Sequence, residues 1–322
     1  MKTVEISVVI PTYNRAATLT KCLEALSRQT VLNPAHEIVI VDDGSTDETE
    51  SVVRTLRSSL PFELRYFPQT HRGPAAARNI GIRNSTRDIL LFLGDDIIAT
   101  PTLLAQHLAR HRIHPGENLG VLGYTTWSPE IEITPVMRWL DHGGPQFAYF
   151  LLHDGSEIAW NFFYTSNVSV KRRFLRQHRL FFDEEFAYAS YEDTEFAYRL
   201  RKDGFVLTYH QAAQAHHFHE LGVGDMIAKA AKDGEAGALL VKKAPALSQM
   251  IGVTCDASDS GLTRTKVVLR RMVRNQATMR LFTATAKLVP VPAVRNWCYT
   301  QLYRYHKMRG MQEALYDREG YH

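Results

Sequence analysis

Short apolar runs that stop at polar motifs, with helical spacing between them, are the feature that most restricts the fold of this chain. A strand is also expected at the more polar Phe62–Phe67, and the apolar runs occur at Ile6–Ile10, Glu37–Val41 and Ile89–Leu93. The last run is apolar throughout, as expected for a strand buried on both faces. Strands that alternate with helices predict an α/β domain with parallel strands and with ligands beyond their carboxyl ends.

Helices and further strands are predicted from periodicity and capping signals. The early helices are expected at Ala16–Gln29, from a Ser45-x-x-Glu48 capping box to about Arg57, and at Ala75–Asn84. The later elements are expected as a strand at Phe162–Val170, a helix at Thr194–Arg201 and a strand at Phe205–Tyr209. After about residue 225 the chain reads as helical, with breaks at Pro245, Pro290 and Pro292.

Composition excludes several classes of protein. With 45% hydrophobic and 22% charged residues, the chain fits neither a disordered protein nor a multi-span membrane protein. Cys22, Cys255 and Cys298 lie far apart without a C-x-x-C pair, which disfavours a disulfide framework and a structural zinc ribbon. No signal-peptide pattern opens the sequence, and no run reaches the roughly 18 apolar residues of a spanning helix. These features predict a cytoplasmic location.

Charge is distributed unevenly along the chain. Residues 264–309 contain eleven Lys or Arg and no Asp or Glu, although the whole chain has a net charge of only +4. This segment also carries Trp297, Tyr299, Tyr303 and Tyr305. A basic aromatic helix is suited to an anionic membrane surface, here the inner face of the cell membrane, and a plain solvated helix is the open alternative. Nucleic acid is not expected as a partner.

Two polar motifs follow the first two strands. Pro11-Thr12-Tyr13-Asn14-Arg15 stands where a dinucleotide-binding protein has G-x-G-x-x-G, so a Rossmann dehydrogenase is disfavoured. Its tyrosine can stack on a base, although a polar loop fits equally well. Asp43 follows the second strand, where a carboxylate can accept hydrogen bonds from a base or ribose, although Asp-Gly is also common turn chemistry.

Two more motifs point to phosphate and a cation. Gly73 and Arg78 flank the start of the third helix, where backbone N–H groups and a guanidinium can meet phosphate oxygens. Gly94-Asp95-Asp96 closes the most apolar strand. Adjacent carboxylates at such a point repel each other, so a hard cation with a diphosphate is favoured over a simple turn.

Acidic and histidine motifs occur later in the chain. Tyr191-Glu192-Asp193 precedes a predicted helix, where acidic residues are also common without any catalytic role. His217 and His219 form an H-x-H pair that can place two imidazoles on one side of an extended segment, as metal binding requires. A polar loop is the alternative. A zinc hydrolase is disfavoured because no H-E-x-x-H spacing accompanies the pair.

Six motifs, in their order along about residues 5–220, resemble those of family 2 glycosyltransferases. They are PTYNR, VDDGS, RGPAAARN, LFLGDD, TSNVSVKR and YEDTE. The resemblance implies a GT-A (Rossmann-like) α/β fold, with a mixed, mostly parallel sheet flanked by helices and a helical C-terminal extension. It further implies a nucleotide-sugar-binding half at 1–115, an acceptor-binding half with the metal and catalytic residues at 116–224, and a basic helical region at 225–322.

The resemblance also implies roles for individual residues. Asp193 is expected to be the catalytic base. The donor is expected to contact Pro11, Thr12, Tyr13, Arg15, Asp43, Gly73, Arg78, Asp95 and Asp96. The acceptor is expected to contact Trp160, Asn167, Glu192 and Asp193. Asp96, His217 and His219 are expected to hold Mn²⁺ or Mg²⁺, with Gly94 at the first position of the family's D-x-D motif.

The implied activity is inverting transfer of a sugar from a nucleotide diphosphate donor, UDP by resemblance, to an acceptor hydroxyl. The acceptor is expected to be a glycan or a lipid-linked glycan, as in polysaccharide biosynthesis. The alternative is a non-catalytic nucleotide-sugar-binding or lectin-like module with the same fold. A nucleotidyltransferase is disfavoured because PTYNR is not a Gly-rich loop with a basic residue.

Overall fold

The computed structural model describes residues 4–31, 36–145, 147–249 and 275–319. Cys255 and the first part of the basic segment, residues 264–274, lie outside the described residues. The chain divides into two compact units. The first comprises Met1–Glu132 and Tyr149–His219, and the second comprises Ile133–Ala148 and Glu220–His322.

A nine-stranded mixed sheet forms the first unit. Its strands are β1 Ile6–Thr12, β2 Glu37–Asp42, β3 Glu63–Pro68, β4 Ile89–Leu93, β5 Ile97–Ala99, β6 Leu119–Trp127, β7 Glu157–Ile158, β8 Asn167–Lys171 and β9 Val206–His217. They run in the order β3-β2-β1-β4-β8-β6-β9-β5, and β7 pairs with β9. Strands β1 to β4 pair in parallel, as predicted, whereas β8 pairs antiparallel with β4 and β6.

Helices flank this sheet: α1 Ala16–Ser27, α2 Thr49–Leu56, α3 Pro74–Asn84, α4 Leu103–Ile113, α6 Arg172–Gln177 and α7 Glu192–Lys202. Every residue of β2 and of β4 is buried. The core below the sheet includes Leu19, Leu23 and Leu26 of α1, which recur at helical spacing. Apolar strands with helices packed on them are the arrangement that the sequence pattern predicts.

Two local predictions are wrong. Helix α2 begins at Thr49 without a capping box, because the Ser45 hydroxyl accepts a hydrogen bond from the Asn14 N–H at 2.8 Å and so joins two loops. The strand predicted over Phe162–Val170 is shorter, since β8 begins only at Asn167 and a 3₁₀ turn occupies Trp160–Phe162. By contrast, the helix predicted at Thr194–Arg201 is present and lies within α7.

A bulge interrupts the pairing of β6 with β9. The parallel register shifts between Gly123 and Tyr124, which are paired with His210 and Gln214 of β9. A Cβ atom on Gly123 would lie 2.3 Å from Asn167 Nδ2, so only glycine permits this approach. After the bulge, β9 runs on to His217, which ends the strand beside β5.

The second unit is helical, with α5 Pro135–Asp141, α8 Val223–Lys243, α9 Gln276–Leu288 and α10 Pro292–Glu319. The breaks fall at the predicted prolines, since α8 ends before Pro245 and α10 begins at Pro292. Helices α8 and α10 pack around buried Asp233, whose carboxylate accepts hydrogen bonds from the Tyr303 hydroxyl and the Lys229 ammonium group. Among the described residues, no helix combines the length and apolar character needed to cross a bilayer.

Candidate active site

The polar motifs meet at one edge of the sheet. Because β2, β1 and β4 are parallel neighbours, their carboxyl ends lie side by side. The Asp43 N–H donates to the Thr12 carbonyl at 2.9 Å, and the Thr12 hydroxyl donates to Asp95 Oδ2 at 2.8 Å. These contacts connect the motifs that follow the three strands, in the crevice where open α/β sheets bind ligands.

Asp43 organises the turn before α3. Its buried carboxylate accepts hydrogen bonds from the Arg72 and Gly73 N–H groups, both at 2.8 Å, and lies 2.9 Å from His71 Nδ1. Gly73 has φ +90°, and a Cβ atom there would lie 2.7 Å from the Ala187 carbonyl oxygen. The conformation and the contact both require glycine. Asp43 therefore fixes a turn that touches the loop leading into α7.

An aromatic platform lies beside this turn. The Tyr13 ring stacks on the His71 ring with centroids 4.1 Å apart, and Tyr13 is 42% exposed. The adjoining Asn14 binds the Asp43 loop, because its side-chain oxygen accepts a hydrogen bond from the Thr46 N–H at 2.7 Å. Pro11, also predicted to contact the donor, is half-buried in β1. The stacked rings provide an exposed flat surface of the kind that binds a base.

Asp95 and Asp96 are both buried and share one cation. Arg15 Nη1 lies 3.1 Å from Asp95 and 2.5 Å from Asp96. Burial and the neighbouring Asp96 raise the pKa of Asp95 above its ordinary value. Burial would also raise the pKa of Asp96, but His217 and Arg15 outweigh it and hold that pKa below its ordinary value. Asp96 therefore keeps its negative charge to a lower pH than Asp95 does.

Both predicted histidines lie against Asp96. His217 Nε2 is 3.2 Å and His219 Nδ1 is 3.7 Å from Asp96 Oδ2. The ligand atoms of the three residues all lie within 4.8 Å of one another. The pairing of β5 with β9 produces this group, because it places Ile97 opposite His217. Trp127 stacks on the His217 ring, with centroids 5.2 Å apart, and thereby restrains its orientation.

The predicted base lies in the first turn of α7. Asp193 is half-buried, and one of its carboxylate oxygens accepts a hydrogen bond from the Thr194 N–H at 2.8 Å. The preceding Tyr191 has φ +62°, an uncommon conformation for a bulky residue. Such backbone strain persists only where the surroundings enforce it, and it is concentrated at functional sites.

A buried ion pair links α3 to α7. From the sequence, Arg78 is expected near the donor diphosphate and Glu192 near the acceptor. In the structure, Arg78 Nη1 donates to Glu192 Oε1 at 2.8 Å, and both side chains are buried. The loop before α7 is also held by α3, because Asn79 donates to Glu184 at 2.8 Å. The pair therefore fixes the helix turn that carries Asp193.

The two other residues predicted to face the acceptor are placed differently. Trp160 is half-buried and packs against Tyr198 of α7, with ring centroids 5.5 Å apart. Asn167 is fully buried, and its amide donates to the Ala213 carbonyl while its oxygen meets His107 Nε2 at 2.9 Å. Burial leaves no surface of Asn167 for an acceptor in this structure, so its observed role is to brace the β6/β9 bulge.

Several residues at the site were missed from the sequence. His71 lies within the quoted HRGP motif, but only the fold shows that it stacks on Tyr13. Trp127 ends an apolar run and resembles an ordinary core residue until β9 brings His217 to it. His107 and His111 are four residues apart on α4 and both contact the Ser169 hydroxyl at 2.8 Å. Their spacing was the available signal for a buried polar network.

Comparisons with known proteins agree with this arrangement. The model of the family "Glycosyl transferase family 2" matches residues 7–124. Validoxylamine A glucosyltransferase of Streptomyces hygroscopicus subsp. jinggangensis is 34% identical over 225 residues, covering 63% of this chain and 53% of the relative. The chain thus spans about half the length of the curated relatives that it matches first.

Two solved structures show the same fold. The mannosyltransferase PcManGT of Pyrobaculum calidifontis, in complex with GDP-Man and Mn²⁺, has a TM-score of 0.64 at 18% identity and covers 97% of this chain and 87% of its own. S. aureus TarS 1-349 in complex with UDP has a TM-score of 0.54 at 16% identity, covering 99% and 93%. At these identities the likeness concerns the fold, which is the GT-A fold predicted from the motifs. The matching segment at residues 7–124, the relatives and the fold thus make this chain similar to glycosyl transferase family 2.

Proposed function

We propose that this protein is an inverting, metal-dependent glycosyltransferase that moves a sugar from a nucleotide diphosphate donor, UDP-sugar in the first place, to an acceptor hydroxyl. The observation that carries the proposal is the group of Asp96, His217 and His219 at the carboxyl edge of the sheet. It lies beside the motifs that GT-A enzymes use for the donor. The acceptor class that we propose is a glycan or a lipid-linked glycan.

The three residues suit a divalent ion. Two ligand atoms that each lie about 2.1 Å from an ion are about 3.0 Å apart when adjacent and about 4.2 Å apart when opposite. The distances from Asp96 Oδ2 to the two imidazole nitrogens, 3.2 and 3.7 Å, fall in this range. Imidazole nitrogen suits transition metals better than Mg²⁺, so we favour Mn²⁺. When bound, the ion would neutralise the charge that develops on the leaving diphosphate.

The donor side of the site is built for a nucleotide. Tyr13 and His71 offer a stacked surface for the base, and Asp43 fixes the neighbouring turn. Arg15 carries a guanidinium that can exchange its carboxylate partners for phosphate oxygens. Solved relatives of this fold have been obtained with UDP and with GDP-Man, which supports a nucleotide-sugar without fixing the base.

The acceptor reacts in a single displacement. Its hydroxyl oxygen forms a bond to the anomeric carbon while the bond from that carbon to the diphosphate oxygen breaks. The hydroxyl proton passes to the Asp193 carboxylate, and the pair of Arg78 and Glu192 holds the turn that carries Asp193. Attack from the side opposite the diphosphate inverts the anomeric configuration.

The test uses the full chain with Mn²⁺ and a panel of UDP- and GDP-sugars, and it measures nucleotide diphosphate release with and without glycan acceptors. We expect EDTA to abolish turnover and Mn²⁺ to restore it. Asp193→Asn should lower kcat about 10²- to 10⁴-fold and leave donor binding unchanged. Asp203→Asn, at the other end of α7, is the matched control and should retain activity.

Failure to bind or turn over any donor in the panel would overturn the proposal. Wild-type kcat from Asp193→Asn would remove the assignment of the base, and full activity in EDTA would remove that of the metal. Donor binding by calorimetry without product would favour the non-catalytic nucleotide-sugar module instead. Retention of the anomeric configuration, read by NMR of the product, would contradict the single displacement.

A further inference from the structure

Helices α9 and α10 form a hairpin whose end exposes apolar side chains. We call residues 288–297 the hairpin tip. Leu288 is 81% exposed and Trp297 is 50% exposed, and Val291 and Val294 are exposed beside them. Leu281 lies two turns back on α9 and is also exposed, at 63%. Several large apolar side chains exposed within one short segment point to an interaction surface.

Within the tip, the turn at residues 289–292 has few hydrogen-bond donors to leave unsatisfied in an apolar environment, while the N–H groups of Ala293 and Val294 in the first turn of α10 are left for water or lipid oxygens. Pro290 and Pro292 have no N–H group, and the Val289 N–H donates to the Thr285 carbonyl at 2.9 Å. At most one N–H between residues 289 and 292, that of Val291, remains for water or a lipid oxygen. The Val291 carbonyl already accepts from the Arg295 N–H at 3.1 Å. Such a turn can enter an interface at low cost.

Behind the tip the same hairpin is strongly basic. Residues 275–312 contain no Asp or Glu, and their cations are Arg280, Lys287, Arg295, Arg304, Lys307 and Arg309. A cavity of about 290 Å³ between α9 and α10 is lined by Arg280 and Arg309, with Thr283 and Tyr305 as further polar groups. Of the two arginines that line the cavity, Arg309 pairs with Glu313 at 2.6 Å, whereas Arg280 forms no ion pair with another described residue.

The order of these features along the hairpin matches a bilayer surface. Arg280 precedes Leu288 by eight residues, about 12 Å along the helix at 1.5 Å per residue. Interfacial helices bury apolar residues about 5–10 Å deep, at the boundary of headgroups and acyl chains. A tip inserted to that depth brings Arg280, on the α9 wall of the basic cavity, to the level of the headgroups. Charge complementarity then selects anionic phospholipids.

We propose that the α9–α10 hairpin docks the protein on an anionic phospholipid bilayer, with the tip in the interface and a lipid phosphate group in the basic cavity. The basic segment identified from the sequence is thus only one part of the proposed membrane-binding surface. The apolar tip is the part that inserts into the bilayer. The proposal concerns where the protein acts, goes beyond sugar transfer and does not depend on it.

The test is flotation of the full chain with phosphatidylcholine vesicles and with vesicles containing 30% phosphatidylglycerol. We expect binding to the anionic vesicles that weakens as salt is raised. The double variant Leu288→Ser, Trp297→Ser should lower the partition coefficient at least about tenfold. The matched apolar control, Phe150→Ser with Leu151→Ser, changes two exposed residues of the first unit and should bind like wild type.

A second pair of variants tests the cavity. Arg280→Gln with Arg309→Gln should lower binding to anionic vesicles about tenfold, whereas Arg54→Gln with Arg57→Gln should not, although both remove two positive charges. Circular dichroism establishes that each variant folds. The proposal would be overturned if wild type did not bind anionic vesicles, or if the tip variant and its control lost vesicle binding equally. A dimer in solution that the tip variant dissociates, with no vesicle binding, would assign the tip to self-association instead.

Discussion

The buried pair of Arg78 and Glu192 gives the sharpest prediction about the site. Their side chains are 8% and 3% exposed, and they join the donor-side helix α3 to the helix turn of Asp193. Among the described residues, Glu192 Oε2 has no hydrogen-bond partner, so the Nη1–Oε1 contact is the main compensation for burying this carboxylate. Removing either partner therefore leaves an uncompensated charge inside the protein.

The magnitude follows from the cost of an unpaired buried charge. Arg78→Met and Glu192→Met should each lower the free energy of unfolding by about 3 to 5 kcal/mol. The double variant replaces both charges with apolar groups and should recover most of that loss, because a buried ion pair is often no more stable than a hydrophobic pair of similar volume. The effects should therefore be strongly non-additive.

Urea unfolding measures these effects in wild type, the two single variants and the double variant, which together form a double-mutant cycle. The control cycle uses the exposed pair of Lys21 and Glu130, which lie 2.6 Å apart in the same unit and should couple by at most about 1 kcal/mol. Additive losses at Arg78 and Glu192, or single losses as small as those of the control, would refute the reasoning.

Kinetics on the folded fraction separate two roles of Arg78. If Arg78 holds the turn that carries Asp193, Arg78→Met should lower kcat and leave the donor KM within about threefold of wild type. If its guanidinium instead binds the donor diphosphate, the donor KM should rise markedly. The second result would move Arg78 into the donor site.

Three further predictions concern stability and donor binding. Burial lowers the pKa of His107 to about 4, and since an unfolded imidazole takes up its proton near 6.5, acid should favour unfolding. Between pH 7.5 and 5 wild type should lose about 2 kcal/mol more stability in urea unfolding than His107→Gln. Gly123→Ala should lower the free energy of unfolding by about 2 kcal/mol or more, because the added methyl group overpacks the site. Gly224→Ala is the control, since its methyl group would meet no neighbouring atom, and urea unfolding should show no such loss. Tyr13→Ala should raise the donor KM about tenfold with little change in kcat, measured by initial rates.

Contrary outcomes are equally specific. Equal pH dependence of wild type and His107→Gln would show that another group governs acid sensitivity. A tolerated Gly123→Ala would mean that Asn167 moves aside without loss. An unchanged donor KM after Tyr13→Ala would place the base elsewhere than on the stack with His71.

Local sequence patterns predicted the first half of the sheet well. Strands β1, β2 and β4 are short, mostly apolar runs that are buried and have a polar motif after them, whereas β3 is mixed in sequence and only partly buried. The capping box at Ser45 failed because Asn14, 31 residues away, competes for the same hydroxyl. A local motif carries no information about such a partner.

The sequence named the three residues of the candidate metal group, but it did not predict how they come together. Asp96, His217 and His219 were identified from their chemistry, yet the contact depends on β5, a three-residue strand directly after the aspartates that no periodicity indicated. Asn167 was assigned to the acceptor because it lies in a family motif. Only the fold, which places His107 of α4 and Ala213 of β9 against it, shows that it is buried.

Arg15 bridges both aspartates, and this has a consequence for handling the protein. The site has an internal counterion, so two adjacent carboxylates are not left to repel each other before a metal arrives. Loading with the proposed Mn²⁺ would then exchange one cation for another, and we expect dialysis against a chelator to strip the ion without unfolding the domain.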